Sequence, residues 1–319
     1  MRNCGEKLKA ILLMAYGTPE DENDVEAYYT HIRRGRVPTK EEVENLKERY
    51  KLIGGKTSLL NITVSTAKKL EESLQAVGHP TKVFAGMKHW HPYISEVFPE
   101  IASSGVDELL AIALAPHYSK MSVGSYQAAV LEAQKETSAN LHIRFIDSWH
   151  LNYVFIQKWV ERVKRARANK FNAQDKEIYH LFSAHSLPER ILSWNDPYKS
   201  QLTTTMEEIA RRLNLSRDQY GFAFQSAGHT SEPWLGPDIL GSIARFKDSR
   251  WRNILVIPIG FVSDHLEILY DLDFEAKQAS KSIGAHLERT DSFNDSSDFI
   301  EVLGSVITES GFLETRRNH

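Results

Sequence analysis

Short apolar segments and longer amphipathic segments alternate along the 319 residues, and their order restarts halfway along the chain. Short apolar runs are typical of strands buried on both faces of a parallel sheet, and amphipathic stretches between them are typical of helices. The pattern predicts eight strands, at residues 9–16, 81–87, 108–115, 141–146, 177–184, 220–225, 253–259 and 284–289. We therefore expect an α/β fold with two similar doubly wound domains, each with a four-stranded parallel sheet flanked by helices.

A local match between the two halves supports this repeat. Residues 15–20 follow the first strand and residues 184–189 follow the fifth, and the two segments share Ala, Pro and Glu in register. In this match Tyr16 stands where His185 stands. Because open α/β sheets bind ligands at the carboxyl ends of their strands, we expect both residues to face a cleft between the domains.

Length and polarity place the domain boundary. The chain length suits two domains of ordinary size, which we assign to residues 1–150 and 151–319. The polar segment 169–176 is the best candidate for a linker.

Charge and cysteine content exclude several classes of protein. A net charge of −3 gives no electrostatic case for nucleic-acid binding. The single cysteine, Cys4, excludes disulfides, a cysteine-ligated zinc site and an iron–sulfur cluster held by the protein. No segment has the length of a membrane helix and no glycine-rich nucleotide fingerprint follows a strand, so we expect a cytoplasmic protein, taken as a monomer, with no integral membrane segment and no nucleotide cofactor.

An acidic row follows the apolar run at residues 254–259. Glu267, Asp271 and Glu275 are spaced at i, i+4 and i+8, so a regular helix places them on one face. We expect this helix to be capped by Ser263 or Asp264, and Asp264, His265 and Asp273 extend the row. One interpretation is a solvated helix face. The other is a divalent-cation site, because no Lys or Arg lies within the row and the preceding strand is too apolar for the surface.

His185 is the histidine with the strongest case for chemistry. It ends a buried strand, in the repeat position of Tyr16, where a neutral imidazole can accept a proton or bind a metal. The alternative is a structural histidine. His89, His91 and His117 also end strands, and for these we favour loop residues held by backbone hydrogen bonds, least firmly for His89.

A basic cluster in the first half forms a candidate anion clamp. Arg33, Arg34 and Arg36 lie together with His31, and guanidinium groups bind carboxylates or phosphates through paired hydrogen bonds. The alternative is an ordinary surface turn. Aromatic residues near strand ends are either core or the walls of a flat apolar slot; these are Tyr16, Tyr28, Tyr29, Tyr126 and Trp234.

Several long motifs carry a resemblance over essentially the whole chain. They are Met14-Ala15-Tyr16-Gly17-Thr18-Pro19, Tyr29-Thr30-His31-Ile32-Arg33-Arg34-Gly35, Ser183-Ala184-His185-Ser186-Leu187-Pro188, Gln225-Ser226, Pro233-Trp234-Leu235-Gly236-Pro237 and Phe261-Val262-Ser263-Asp264-His265-Leu266-Glu267. In these motifs the chain resembles ferrochelatase, the enzyme that inserts ferrous iron into a porphyrin in haem synthesis. It is most similar to the soluble Gram-positive form, which acts on coproporphyrin III.

The resemblance implies a class II chelatase-like fold with the porphyrin between two lobes. It implies that His185 and Glu267 are the catalytic pair, and that they bind the metal together with an acidic relay of Asp271 and Glu275 on a helix with a local π distortion. Fe²⁺ and the porphyrin are then substrates, with no permanently bound cofactor.

The resemblance also implies a set of porphyrin-contacting residues. Tyr16 matches the axial ligand to iron, and Arg33, Arg49, Tyr50 and Tyr126 match positions that contact the ring and its propionates. Thr57 stands where close relatives carry Ser, and residues 227–229 depart from the acidic and amide residues that are usual in the family.

Three alternatives to this function remain open from the sequence. The ring substrate is either coproporphyrin III or protoporphyrin IX. A cobalt or sirohydrochlorin chelatase has the same fold but generally pairs two histidines in the cleft, whereas here Glu267 partners His185. A porphyrin or haem carrier has no need for the acidic helix.

Overall fold

The structure is a computed structural model that describes residues 7–172, 177–228 and 232–313. Its strands are β1 (Lys9–Ala15), β2 (Lys82–Met87), β3 (Glu108–Ala113), β4 (His142–Ile146), β5 (Ile178–His185), β6 (Tyr220–Gln225), β7 (Asn253–Ile257) and β8 (His286–Arg289). The helices of the first half are α1 (Val25–Ile32), α2 (Lys40–Leu52), α3 (Leu59–Ala76), α4 (Ile94–Ser103) and α5 (Val123–Thr137). Those that follow are α6 (Tyr153–Lys170), α7 (Tyr198–Arg212), α8 (Ile239–Ala244), α9 (Leu266–Leu269), a π-helical segment (Asp271–Ala276), α10 (Lys277–Ser282) and α11 (Ser297–Glu309).

The strands form two four-stranded sheets of the same topology. Their orders are β2-β1-β3-β4 and β6-β5-β7-β8, and every pair is parallel. Because each strand of the first sheet has its counterpart in the second, the predicted repeat and the predicted fold class are confirmed. The central strands β1 and β5 end at equivalent positions, which places Tyr16 and His185 at corresponding edges of the two sheets.

The two halves share one hydrophobic core. Leu13 and Leu70 from the first half belong to the same buried cluster as Phe182 and Leu255 from the second. Trp159 of α6 lies in that cluster with no exposed surface. Packing of this kind fixes the sheets relative to each other, because close-packed interiors resist small displacements.

Helix α11 was not predicted from the sequence. It follows β8 as α6 follows β4, so it completes the repeat. The segment around its start contacts the first half, where the Ser65 hydroxyl donates to the Asp295 carboxylate at 2.6 Å. Asn152, the N-cap of α6, donates from Nδ2 to the Ser305 hydroxyl at 2.9 Å. The start of α11 thus joins the second half to α3 of the first, and α11 itself packs against α6.

Three sequence-based expectations involve residues outside the described ranges. These are Cys4, the end of the proposed linker at residues 173–176, and His229. Within the described ranges, no helix combines the length and apolarity required to cross a membrane. The domain boundary after residue 150 stays a prediction.

Candidate active site

A cavity of about 1430 Å³ lies where the carboxyl ends of both sheets meet. Its wall contains residues at or just beyond the ends of five strands: Tyr16, Lys88, Leu114, His185 and Gly260. Pockets for ordinary small ligands occupy about 300–1,000 Å³, so this space suits a larger ligand. The predicted cleft between the lobes is therefore present.

His185 presents one ring nitrogen to this cavity. Its Nδ1 donates to the Ser186 carbonyl, which can only accept, so Nε2 is the atom left for chemistry. Tyr198 donates its hydroxyl to the His185 carbonyl at 3.0 Å. Behind the histidine, Gly260 lies so close to Ala184 that an added Cβ would approach the Ala184 Cβ to 2.5 Å. The imidazole is thus held through its Nδ1, and the backbone of His185 is held by the Tyr198 hydroxyl and by the close packing of Gly260 against Ala184.

Glu267 lies in the first turn of α9, opposite His185. Its Oε1 is 3.4 Å from His185 Nε2, and its Oε2 is 3.6 Å from His265 Nε2. The Glu267 carbonyl accepts a hydrogen bond from Gln225 Nε2 at 2.8 Å. His265 is the N-cap residue of α9 and makes no side-chain capping hydrogen bond, so the expectation that Ser263 or Asp264 caps this helix is wrong. The structure brings the predicted pair within reach of a common ion.

The two histidines and Glu267 form one charged group. Burial disfavours the imidazolium of His185, but the Glu267 charge and hydrogen bond outweigh burial and raise the pKa of His185 to about 9. His265 responds in the same way, and its pKa is also raised. Burial alone would raise the pKa of Glu267, yet the two imidazoles hold it below its usual range. In the metal-free protein the pair is therefore an imidazolium and a carboxylate at neutral pH.

The acidic row continues on a distorted helix. Glu275 N donates to the Tyr270 carbonyl at 2.9 Å, the i→i+5 bond of a π turn, as the resemblance implied. Asp271 is buried and accepts from the Ser226 hydroxyl. Burial and the Glu267 charge raise the pKa of Asp271 to about 7. In the described residues no group of three or more His, Cys, Asp or Glu side chains is arranged to hold a metal, so Asp271 and Glu275 as metal ligands stay a prediction.

Two members of the acidic row are paired with a cation. Arg289 on β8 donates from Nε and Nη2 to the Asp273 carboxylate at 2.9 and 2.8 Å, and its Nη2 lies 3.1 Å from Asp264 Oδ1. Asp264 also accepts from Ser292 at 2.6 Å. The interpretation that the whole row lacks a compensating cation is therefore wrong, because Arg289 reaches it from a distant strand. These two carboxylates tie the acidic helix to the second sheet.

We expect Asp273→Asn to lower the free energy of unfolding by about 1–3 kcal/mol, because a charge-assisted pair is lost at a largely buried guanidinium. The rate of any reaction in the cavity should stay within about twofold of wild type, since Asp273 does not line it. Denaturant unfolding checks the first result. Asp218→Asn is the control, because its pair with Arg250 is exposed to solvent and its loss should leave the stability nearly unchanged. Equal stability of both variants would contradict the structural role of Asp273.

The opposite wall of the cavity is aromatic. Tyr16 is 39% exposed and its ring centroid lies 4.5 Å from that of His89. His89 Nδ1 lies 3.1 Å from His31 Nδ1, and burial together with the Lys88 charge lowers the pKa of His89 to about 3. Burial, with the Glu267 charge, raises the pKa values of Tyr16 and Tyr126. His89 is thus a neutral wall residue, and both phenols keep their protons.

Four of the predicted porphyrin-binding residues do not line the cavity in this conformation. Arg33 Nη1 lies 2.6 Å from Glu42 Oε1. Arg49 lies 4.9 Å above the Tyr270 ring. The hydroxyls of Tyr50 and Thr57 both meet that of Thr18, at 3.3 and 2.9 Å. Tyr16, Tyr126, His185 and Glu267 do line the cavity, and so do His31 and Arg34 of the basic cluster. The structure therefore brings together one part of the predicted site and leaves Arg33, Arg49, Tyr50 and Thr57 outside the cavity.

The sequence analysis missed two cavity residues. Tyr198 orients His185 from α7, and Lys88 follows β2. Lys88 follows the carboxyl end of a strand, as His89 does, and His185 ends one. The expectation that ligands bind at the carboxyl ends of parallel strands therefore also predicts Lys88 as a cavity residue. Tyr198 lies at the start of a helix, where the strand pattern gives no such signal.

Comparison with known proteins agrees with the fold and the cavity. The ferrochelatase family model matches residues 8–311. A ferrochelatase from Herpetosiphon aurantiacus is 43% identical over 301 residues, which cover 94% of this chain and 98% of that protein. A protein named coproporphyrin III ferrochelatase 1 from Bacillus thuringiensis is 41% identical over 307 residues, 95% of this chain and 98% of the relative.

Solved structures of chelatases share the fold at low sequence identity. The sirohydrochlorin chelatase SirB from Bacillus subtilis in complex with cobalt superposes with a TM-score of 0.56 at 10% identity, covering 95% of this chain and 96% of that one. CbiX, described as the terminal enzyme for siroheme biosynthesis in denitrifying bacteria, gives 0.56 at 10% identity over 94% and 99%. On the full-length family match and these identities, the chain belongs to the ferrochelatase family.

Proposed function

We propose that this protein inserts ferrous iron into coproporphyrin III in haem biosynthesis, with His185 and Glu267 as the catalytic pair. The observation that carries the proposal is the 3.4 Å approach of these side chains on one wall of a cavity whose opposite wall is Tyr16 and Tyr126. The family supports the reaction, and relatives named coproporphyrin III ferrochelatase support this ring as substrate.

The chemistry is an exchange of charge. Insertion releases two pyrrole protons and takes up one divalent cation, so the site must hold Fe²⁺ and accept protons next to the ring. His185 begins as an imidazolium, because its pKa is about 9. Fe²⁺ arriving at Nε2 and the Glu267 carboxylate displaces that proton to solvent. As the metal then passes to the ring, its bonds to the pyrrole nitrogens replace the two N–H bonds, and the two groups that it leaves accept the two pyrrole protons. Two neighbouring ligands hold the ion loosely enough for transfer.

Tyr16 would bind the iron from the other face of the ring. It carries a protonated phenol in the empty protein, which is a weak ligand and does not compete with the porphyrin nitrogens. Asp271 and Glu275 continue from Glu267 along the π-distorted helix, and we assign them to passage of Fe²⁺ toward the pair. His265, on the other oxygen of Glu267, fixes the carboxylate in place.

Arg33, Arg49, Tyr50 and Thr57 are assigned to propionate binding. Arg33 would exchange Glu42 for a propionate, because both are carboxylates that guanidinium binds in the same way. We place the reaction in the lyase class and the protein in the cytoplasm as a monomer, with Fe²⁺ as substrate and without a permanent cofactor or iron–sulfur cluster.

Parallel assays with two rings test the function. Under anaerobic conditions we expect Fe²⁺ insertion into coproporphyrin III, with kcat/KM at least about tenfold above that for protoporphyrin IX, because two further propionates add charge-assisted contacts. Absorbance of the metallated ring measures both. Preference for protoporphyrin IX would contradict the choice of ring. Binding without turnover would identify a carrier, and activity only with cobalt and sirohydrochlorin would identify the other chelatase class.

A further inference from the structure

Among the described residues, the lysines and arginines that line the cavity are two, Arg34 and Lys88. Arg34 lies on the exposed turn after α1, where its φ of 56° is followed by Gly35 at 85°. Lys88 is the first residue after β2. Neither belongs to the set of Arg33, Arg49, Tyr50 and Thr57 that is assigned to propionate binding, although Arg34 is part of the basic cluster around Arg33. The cavity therefore has a second source of positive charge.

Lys88 is held in place by one main-chain contact and two contacts of its ammonium. Its main-chain N–H donates to the Ala15 carbonyl at 2.9 Å, beside Tyr16. Its Nζ donates to the Ser125 hydroxyl and lies 5.1 Å from the centre of the Tyr126 ring. The side chain is therefore directed along the aromatic wall and not into solvent.

Lys88 lacks an anionic partner. No carboxylate of the described residues lies within 4.0 Å of its Nζ, whereas Lys82 at the other end of the same strand pairs with Glu100 at 3.4 Å. Burial and the Arg34 charge lower the pKa of Lys88 to about 8, the response of a partly desolvated cation without an anion. Since a buried charge is costly unless it is paired, this position is suited to an anion that arrives with the ligand.

We propose that Lys88, with Ser125 and Arg34, binds a propionate of the porphyrin and makes this cavity selective for rings that carry more than two propionates. The inference rests on the proposed function and adds a specificity-determining residue to it. Protoporphyrin IX carries its two propionates on neighbouring pyrroles. It can therefore occupy either the site of Arg33, Arg49, Tyr50 and Thr57 or the site at Lys88, but not both at once. Coproporphyrin III carries a propionate on every pyrrole and can engage the clamp and Lys88 together.

Binding of two rings to Lys88 variants tests the proposal. We expect Lys88→Met, which keeps the stem and removes the charge, to raise the Kd for coproporphyrin III about tenfold and to leave the Kd for protoporphyrin IX within about twofold. Lys88→Arg should restore most of the coproporphyrin III affinity. Titration by absorbance or by quenching of protein fluorescence measures Kd without metal or turnover.

Lys82→Met is the matched control, because Lys82 begins β2, at the opposite end of the strand from Lys88, and also lies above an aromatic ring but does not line the cavity. It should leave both affinities unchanged. Equal weakening for the two rings in Lys88→Met, or no weakening for either, would overturn the selectivity proposal while iron insertion by wild type still stands. If wild type binds neither ring, the proposed function itself fails. Ser125→Ala is an independent test. We expect it to raise the Kd for coproporphyrin III by less than Lys88→Met does, again with little change in the Kd for protoporphyrin IX.

Discussion

Replacing His185 by alanine is expected to lower the rate of iron insertion by about a thousandfold, within the range contributed by a positioned acid–base group. The Kd for the porphyrin should stay within about threefold, because ring binding relies on the aromatic wall and the carboxylate contacts. The reason lies in the geometry: Nε2 is the one imidazole nitrogen free of the main chain, and it faces the Glu267 carboxylate at 3.4 Å. Single-turnover absorbance separates insertion from binding.

Two further variants test whether the effect is specific to the His185 side chain and its position. His142→Ala removes an exposed histidine at the amino end of β4, away from the strand ends that build the cavity, and should change neither quantity. Tyr198→Phe removes the hydrogen bond to the His185 carbonyl and should slow insertion about tenfold with little change in porphyrin affinity. If His185→Ala loses porphyrin affinity as completely as turnover, the histidine shapes the pocket and does no chemistry.

The fold was predictable because its signals are local. The apolar run at residues 254–259 is short and interrupted only by Pro258, which marks a strand buried on both faces, and β7 is found there as Asn253–Ile257. The match of residues 15–20 with 184–189 gave the repeat, and the two sheets share one strand order. Topology then placed Tyr16 and His185 at one cavity.

The side-chain partners were not predictable in the same way. Arg289 neutralises Asp264 and Asp273 from a strand that follows them in sequence, and only the pairing of β8 with β7 brings it there. Similarly, Arg33 pairs with Glu42 because α1 and α2 pack together. The guanidinium that the basic motif predicts as a ligand contact therefore binds a carboxylate of the protein itself. The sequence shows which charged side chains are present, whereas the partner of each one depends on tertiary contacts.

The cavity combines features that differ between its two walls. On the second lobe, Glu267 and His185 form an ion pair. On the first lobe, His89 is neutral and Tyr16 is protonated, so that wall presents no charge to the centre of a ring. Apart from the histidines that pair with Glu267, the positively charged groups among the described lining residues are Arg34 and Lys88. This division suits a planar ligand with an uncharged centre and anionic edges.

Replacing Glu267 by glutamine is expected to slow iron insertion at saturating porphyrin by about a hundredfold or more, since both the anionic metal ligand and the charge that offsets Fe²⁺ are removed. The same change alters the pH dependence of metal binding. In wild type, His185 keeps its proton up to about pH 9, so binding of a divalent ion releases a proton and the affinity rises with pH until that value. Without the Glu267 charge, burial dominates and the pKa of His185 falls.

Calorimetric titration with Zn²⁺, a redox-inert probe, between pH 6 and 10 measures this shift. The affinity of Glu267→Gln should be lower throughout and should level off near the ordinary histidine pKa of 6.5 or below, instead of near 9. Asp273→Asn provides the comparison, because it is also an acid-to-amide change on the same helix but its carboxylate pairs with Arg289 outside the cavity. Its pH profile should follow wild type. An unchanged profile and unchanged turnover in Glu267→Gln would remove this carboxylate from the mechanism, because the proton displaced by the metal would then belong to another group.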